Sequence, residues 1–168
     1  MHPARLSESE LLAQCELHAV RRSGPGGQRR NKVATGVVLI HRPTGIRAEA
    51  SERRHREENR RLACRRLRER LAVQCRSPEA ASAPSELWQR RRVGRRIVVR
   101  ADHPDFPALL AEALDVVHER AYDLVAAAAQ LGVTPSQLLK LLAKSSHAWQ
   151  YLQKERAARG LAPLKRPE

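Results

Sequence analysis

The run Ser-Gly-Pro-Gly-Gly-Gln at residues 23–28 contains the residue types whose order points most directly to chemistry. Glycine reaches backbone angles closed to other residues and lets a ligand approach the main chain closely. Gly24, Gly26 and Gly27 around the stiff Pro25 therefore indicate a tight, specified loop. Gln28 ends the run with an uncharged amide that can both donate and accept hydrogen bonds. The pattern is typical of a catalytic loop and not of an ordinary turn.

Basic and polar side chains flank this loop on both sides. A guanidinium group can donate to two phosphate oxygens at once, so a collar of arginines suits a nucleic acid. We therefore predict an RNA-binding set around the loop, consisting of Arg21, Arg22, Ser23, Arg29, Arg30, Asn31 and Lys32.

Further motifs follow in a fixed order after the loop: Asn31-Lys32, a strand-like run at 37–40, Pro-Thr-Gly-Ile at 43–46 and Glu49. Over residues 15–75 the chain thereby resembles the catalytic domain of class I peptide-chain release factors. Arg54 and Asn59 match an Arg and an Asn that the family carries at the start of a long basic helix. The chain departs from the family at Arg29-Arg30, where His-Val is usual.

The resemblance implies hydrolysis of the ester between a nascent peptide and the terminal ribose of tRNA. Gly26, Gly27 and Gln28 would be the catalytic residues, with the Gln28 backbone N–H stabilising the developing charge and its side chain ordering the water. The implied partners are the peptidyl-transferase centre of the large ribosomal subunit, peptidyl-tRNA and rRNA. A glutamine methyltransferase acting on Gln28 is a further implied partner. The resemblance implies no cofactor.

The charge of the chain is high and unevenly distributed. The 168 residues have a net charge of +14; residues 1–100 contain 24 basic and 10 acidic side chains, and residues 101–168 contain eight of each. We therefore expect RNA binding in the first part of the chain. No apolar run approaches the ~20 residues of a membrane span, and no signal peptide is recognisable, so we expect a cytoplasmic protein without membrane contact. Scattered Cys and His predict no metal site.

Hydrophobic periodicity predicts an α+β fold in which a small β-sheet packs with one long basic helix. The expected strands are 15–21, 36–42 and 46–50, after a short lead-in in which Ser7 and Glu10 have capping-box spacing. The helix is expected over residues 54–74. Ten Arg and four Glu at 51–76 should leave most arginines unpaired for rRNA, among them Arg54, Arg60 and Arg61.

A change in composition predicts a boundary near residue 77. We divide the chain into a catalytic domain at 1–76, a linker at 77–100 that is first rich in Pro, Ala and Ser and then in Arg, and a small all-helical domain at 101–168. The linker arginines are predicted to form a second RNA-binding arm consisting of Arg90, Arg91, Arg92, Arg95 and Arg96.

The helical domain has the pattern of a helix-turn-helix. Asp105 should cap its first helix, Gly132 should mark the turn, and Thr134 with Gln137 has the spacing of a capping box before a helix at 135–144. Ser136, Gln137 and Lys140 could meet bases if this helix read DNA. The neutrality of residues 101–168 favours instead a structural or ribosome-facing role.

Three functions are consistent with the sequence. The first is a codon-independent, ribosome-rescuing peptidyl-tRNA hydrolase, because 168 residues leave no room for a stop-codon-reading domain beside these elements. The second is a non-catalytic ribosome or RNA adaptor that uses the arginine clusters. The third is a DNA-binding helix-turn-helix regulator.

Overall fold

The computed structural model describes residues 1–21, 34–78 and 82–168. They divide into two compact units, one comprising Met1 with residues 3–71 and the other His2 with residues 72–168. Helices and small antiparallel sheets are mixed, which confirms the α+β class. The predicted catalytic residues Gly26, Gly27 and Gln28 lie outside the described residues. The three-part division into domains stays a prediction.

The first unit contains a three-stranded antiparallel sheet and two helices. In chain order its elements after a 3-10 turn at Pro3–Arg5 are α1 (Glu8–Ala13), β1 (Cys15–Val20), β2 (Gly36–His41), β3 (Arg47–Ala50) and α2 (Arg56–Gln74), whose last residues belong to the second unit. The strand order is β1-β2-β3, with β2 in the centre. The three predicted strands and the predicted long helix are confirmed to within a few residues.

One face of β2 and β3 is apolar. Their register places Val37 opposite Ala50 and Leu39 opposite Ala48, and all four side chains are buried. Opposed residues of an antiparallel pair lie on the same face, so they form one continuous apolar surface. Burying it stabilises the unit by the hydrophobic effect, at about 25 cal/mol for each Å² of apolar surface removed from water.

Helix α2 has a buried stripe and is fastened along β3 by arginines. Ala63, Leu67 and Leu71 are fully buried at helical spacing. Arg66 Nη1 donates to the Glu49 carbonyl at 2.8 Å, and Arg70 Nη1 donates to the Arg47 carbonyl at 2.6 Å. These bonds satisfy the outward carbonyls of an edge strand, which would otherwise be open to pairing with another chain.

The second unit is mainly helical, and it includes part of the predicted linker. Its elements are α3 (Glu86–Arg91), β4 (Arg92–Val93), β5 (Arg96–Ile97), α4 (Phe106–Glu119), α5 (Leu124–Leu131), α6 (Pro135–Ala143) and α7 (Ser146–Ala158). Residues 86–97, which the sequence assigns to the linker, form α3 and the two short strands. The physical reason is Trp88, which is fully buried and whose indole N–H donates to the Leu131 carbonyl at 2.8 Å.

Strands β4 and β5 form a hairpin with a two-residue turn. Arg92 pairs with Ile97 and Val93 with Arg96, which leaves Gly94 and Arg95 at the turn. Gly94 has a φ of +58°, the conformation that a type II′ turn requires at its first central position. Of the arginines in the predicted arm, Arg92, Arg95 and Arg96 thus belong to this hairpin, and Arg90 and Arg91 end α3.

The caps of two helices differ in detail from expectation. Asp105 precedes α4 but makes no side-chain capping bond, because its carboxylate accepts from Arg91 instead. Thr134 caps α6 as predicted, with its hydroxyl accepting from the Gln137 N–H at 3.2 Å. The reciprocal half of the capping box is replaced, since the Thr134 N–H donates to the Arg95 carbonyl at 3.1 Å.

Turns and ends elsewhere follow the predicted signals. The Ser7 and Glu10 capping box is present, and Gly132 and Gly160 take the left-handed conformation after α5 and α7. Within residues 1–21, 34–78 and 82–168, no helix combines the length and the apolar character needed to cross a bilayer.

We expect Trp88→Phe to destabilise the protein by about 1–3 kcal/mol beyond the loss of apolar area, because the Leu131 carbonyl loses its donor in a buried position. Urea denaturation measures the change in unfolding free energy. The control is Trp149→Phe, which removes similar apolar area without affecting that carbonyl. Equal losses for the two variants would show that the indole hydrogen bond contributes nothing.

Candidate functional site

Strands β1 and β2 approach each other closely where the chain between them begins and ends. Val20 pairs with Gly36, so residues 21–35 connect two adjacent antiparallel strands. A Cβ placed on Gly36 would lie 2.7 Å from Val20 Cγ2 and 2.8 Å from the Val20 carbonyl oxygen. Only glycine fits such an approach. Gly36 is therefore a residue that the sequence did not single out and that the base of this connection requires.

Asn59 fastens the same region to the start of α2. Its side chain is completely buried, and its amide Nδ2 donates to the Thr35 carbonyl at 2.7 Å and to the Arg53 carbonyl at 3.0 Å. Its Oδ1 accepts from the Arg53 N–H at 2.9 Å. One carboxamide thus joins the residue before β2 to the residues before α2, and its donors and its acceptor are all used.

Most of the predicted RNA-binding collar lies outside the described residues. Arg22, Ser23, Arg29, Arg30, Asn31 and Lys32 belong to that part, so their roles stay predictions. Arg21 is described, follows β1 directly and is exposed.

Many arginines of α2 are engaged within the protein, so the prediction that most are unpaired requires correction. Arg60 donates to both carboxylate oxygens of Glu57, at 2.5 and 2.9 Å, and lies 3.3 Å from Glu8. These hydrogen bonds hold the pKa of Glu57 below its ordinary value. Arg61 also reaches Glu57, at 3.4 Å, although its side chain is largely exposed. The physical reason is that backbone carbonyls and nearby carboxylates of the same unit accept from these side chains.

A second group of arginines, just before α2 and along it, is free. It consists of Arg53, Arg54, Arg56 and Arg65. All four are exposed, and their side chains have no hydrogen-bond or ion-pair partner among the residues that the structure describes. Arg54 was predicted from the sequence, whereas the other three were not, because charge alone does not distinguish a free arginine from a paired one. These four side chains are exposed guanidinium groups of the first unit that no hydrogen bond or ion pair within the described part of the chain occupies.

Glu52 forms an ion pair with Arg66, one of the engaged arginines of α2. Its carboxylate accepts from Arg66, and this bond lowers the pKa of Glu52 to about 2. The same guanidinium donates to the Glu49 carbonyl. Arg66 therefore joins the end of β3 to α2 and contributes little free charge to the surface.

The arginines of the predicted arm divide in the same way. Arg91 donates to Asp105 Oδ2 from Nε at 2.9 Å and from Nη2 at 2.7 Å, and it contacts His103 Nε2 at 2.9 Å. Arg92 Nη1 donates to the Gly94 carbonyl at 3.1 Å. The three remaining arginines, Arg90, Arg95 and Arg96, are exposed and have no side-chain partner in the described part of the chain.

His41 supports the turn between β2 and β3. Its ring is buried, with Nε2 at 3.0 Å from Gln14 Oε1 and Nδ1 at 2.8 Å from Thr44 Oγ1. Because an amide oxygen only accepts, Nε2 is the protonated nitrogen and Nδ1 accepts from the Thr44 hydroxyl. Burial lowers the pKa of His41, so this arrangement holds the neutral ring.

Among the described residues, no three His, Cys, Asp or Glu side chains come together as a metal site. The three cysteines are free, and burial raises the pKa of Cys64 to about 11. The Cys64 thiol is therefore protonated and unreactive at neutral pH.

Comparison with known proteins relates this geometry to a family. The RF-1 domain family matches residues 10–100, a region that includes the sheet, α2 and the arginine hairpin. The chain belongs to the RF-1 domain family. The resemblance to class I release factors is thereby confirmed.

Two kinds of relative illustrate the similarity. The mitochondrial peptide chain release factor-like protein YLR281C of Saccharomyces cerevisiae is 49% identical over 67 residues, which are 38% of this chain and 42% of the yeast protein. Peptide chain release factor 1 of Streptococcus pyogenes (serotype M5, strain Manfredo) and that of Streptococcus thermophilus (strain ATCC BAA-491 / LMD-9) are each 50% identical over 50 residues. Those residues are 30% of this chain and 14% of each factor. The chain thus matches less than half of the length of these relatives.

We expect Asn59→Asp to lower the unfolding free energy by about 2–4 kcal/mol. The substitution keeps the acceptor for the Arg53 N–H but leaves the carbonyls of Thr35 and Arg53 without a donor and facing a carboxylate, and each unsatisfied buried group costs about 1–3 kcal/mol. Chemical denaturation measures the effect. Arg65→Gln on the exposed face of the same helix is the control and should change stability by less than about 0.5 kcal/mol. A neutral Asn59→Asp variant would contradict the assigned role.

We also expect a pH-dependent contribution of His41 to stability. Because the pKa of His41 is lowered in the folded state, the unfolded chain binds more protons once the pH falls below about 6.5. The contribution of His41 to the unfolding free energy is complete above that pH. It is lost as the pH falls through the pKa that His41 has in the folded protein. Urea unfolding between about pH 7.5 and pH 5 should show this loss, His41→Gln should reduce it, and the exposed His55→Gln should leave it unchanged. Identical pH profiles for the two variants would refute the assignment.

Proposed function

We propose that this protein is a ribosome-dependent peptidyl-tRNA hydrolase that acts without reading a codon and thereby rescues stalled ribosomes. The family to which it belongs includes peptidyl-tRNA hydrolysis among its activities. The proposal extends that activity to this chain and adds the rescue role, the peptidyl-transferase centre as the site of action, and the cytoplasm as the compartment.

The proposed reaction is attack of water on the carbonyl carbon of the ester that joins the peptide to the tRNA ribose. The C–O bond to the ribose breaks, the peptide leaves as a carboxylic acid, and the ribose oxygen recovers a proton. This ester is already reactive, so the site needs a positioned water and a hydrogen-bond donor for the oxyanion more than a strong base. Gln28 supplies the donor from its backbone and positions the water with its amide.

The observation that carries the proposal is the construction of the region that begins and ends the catalytic segment. Gly36 lets β1 and β2 approach closely beside Val20, and Asn59 binds Thr35 to the start of α2. Residues 23–28 therefore belong to the connection between β1 and β2. The ends of these two strands are held in place by internal contacts. A catalytic amide has to be placed within fractions of an ångström, and rigid supporting elements provide that placement.

The free arginines support docking onto rRNA. Arg53 and Arg54 precede α2, Arg56 begins it, and Arg65 lies in its middle; all four are exposed and, among the described residues, free. Exposed guanidinium groups release counterions when they meet phosphates, which gives an affinity that falls with salt. The collar at 21–32 is proposed to contact the tRNA end and the surrounding rRNA. Gln28 is also a proposed substrate of a glutamine methyltransferase.

We expect Gln28→Ala to lower the rate of peptide release about hundredfold while ribosome affinity stays unchanged. The substitution keeps the backbone N–H but removes the amide that positions the water, and misplacing a reactant costs about 10² in rate. The measurement is release of labelled peptide from ribosomes stalled on a truncated mRNA, together with cosedimentation for binding. Gln150→Ala, an exposed glutamine on α7, is the matched control and should release peptide at the parent rate.

The same assay separates the alternatives. Codon independence predicts equal release on truncated mRNA with and without a stop codon in the decoding site, and slower release when mRNA fills the channel. Release by Gln28→Ala as fast as by the parent would refute the mechanism. Tight ribosome binding by the parent protein without any release would favour the non-catalytic adaptor.

A further inference from the structure

The neutrality of residues 101–168 conceals a separation of charge. Residues 87–101 contain six Arg and no acidic residue, and residues 124–144, which form the helix-turn-helix, contain two Lys and no acidic residue. The acids of the second unit lie in other segments, and two of them, Asp105 and Asp115, are engaged by Arg91 and Arg76. The location of positive charge in this unit therefore depends on which segments the fold brings together.

The fold brings the arginine hairpin to the helix-turn-helix. The Arg95 carbonyl accepts from the Thr134 N–H at 3.1 Å, directly before α6. Arg92 lies against the turn between α5 and α6, with Nη1 at 3.4 Å from the Gly132 carbonyl oxygen. Helix α6 also packs beside β5. The two acid-free segments thus form one surface.

The hairpin register shows which arginines face outward. Arg92 and Ile97 are opposed and share one face, and Arg92 lies over Gly132. Val93 and Arg96 share the other face and are both exposed. Arg95 is exposed at the turn itself. Arg95 and Arg96 therefore both present their guanidinium groups to solvent.

Helix α6 continues this surface. Ser136 is exposed on its first turn, and Lys140 is exposed one turn further along the same face. The helix has no acidic residue. Its N-terminus adds a partial positive charge to that of Arg95 and Arg96, which favours an anion on this side.

The aromatic residues indicate how a nucleic acid would be held. All five aromatic residues of the chain are in the described part; four of them, Phe106, Trp88, Trp149 and Tyr122, are buried, and Tyr151 is half-buried. Binding of single strands uses exposed aromatic rings on which bases stack. A surface with guanidinium, ammonium and hydroxyl groups and no such ring is suited to the sugar-phosphate backbone of a double helix.

We infer that the hairpin turn and α6 together form a second RNA-docking surface, centred on Arg95, Arg96, Ser136 and Lys140, that binds the backbone of double-stranded RNA without reading its sequence. The choice of RNA over DNA rests on the proposed ribosomal function. This surface lies in the second unit and is separate from the catalytic segment in the first.

The test measures binding of the full chain to a labelled RNA duplex of about 20 base pairs by fluorescence anisotropy over a range of salt concentrations. Arg95→Glu/Arg96→Glu should weaken binding about 60-fold at 0.1 M salt and reduce the salt slope by about 2, because each phosphate contact contributes about 0.9 to that slope. Lys140→Glu alone should weaken binding about eightfold.

The matched control is Lys154→Glu/Lys165→Glu, which changes the net charge equally with two exposed lysines on α7 and in the C-terminal segment. If this control lost as much affinity, or if duplex DNA or single-stranded RNA bound more tightly than the RNA duplex, the inference would be overturned. Thermal melting checks that each variant is folded. If Arg95→Glu/Arg96→Glu is unfolded, Arg95→Gln/Arg96→Gln takes its place, with the same expected loss of RNA affinity. Peptide release is measured separately, so RNA binding without release would refute the hydrolase and leave this surface intact.

Discussion

The buried carboxamide of Asn59 is the contact on which the arrangement of the first unit depends. It joins the main chain of Thr35 to that of Arg53, and no other uncharged side chain of its length supplies two N–H donors together with an acceptor. Because the Asn59 side chain is completely buried, leaving its amide unpaired would cost more than the bonds gain. The beginning of β2 and the beginning of α2 are consequently set by one residue.

The arginines have two different roles in this protein. Some are structural donors: Arg66 and Arg70 bind carbonyls of β3, and Arg91 forms an ion pair with Asp105. Others are exposed without a side-chain partner in the described residues, including Arg54 and Arg96. The charge excess therefore serves both folding and electrostatic attraction to RNA. Only the second group is available to phosphates without first breaking an internal bond.

The second unit shows how charge counted along a chain can mislead. The segment after residue 100 is neutral, which weighed against a nucleic-acid role for its helix-turn-helix. Trp88, through its bond to the Leu131 carbonyl, attaches the preceding segment to this unit, and the Arg95 carbonyl accepts from the N–H of Thr134 directly before α6. The arginines that the composition of the sequence assigns to a linker thus lie beside α6, which has no acidic residue. Surface potential depends on this juxtaposition and not on the boundary chosen in the sequence.

Local patterns in the sequence were enough to predict the α+β class, the family resemblance and the strands and helices outside residues 86–97, because periodicity, glycines and capping residues such as Ser7 and Thr134 act within a few positions. The ordered motif at residues 23–28 also identified Gln28 as the predicted catalytic residue. Only the tertiary structure decided which arginines are free, why Gly36 is required, and that Asp105 pairs with Arg91 and does not cap its helix. Those features depend on contacts between residues far apart in the chain, and no local pattern encodes which distant group will occupy a given side chain.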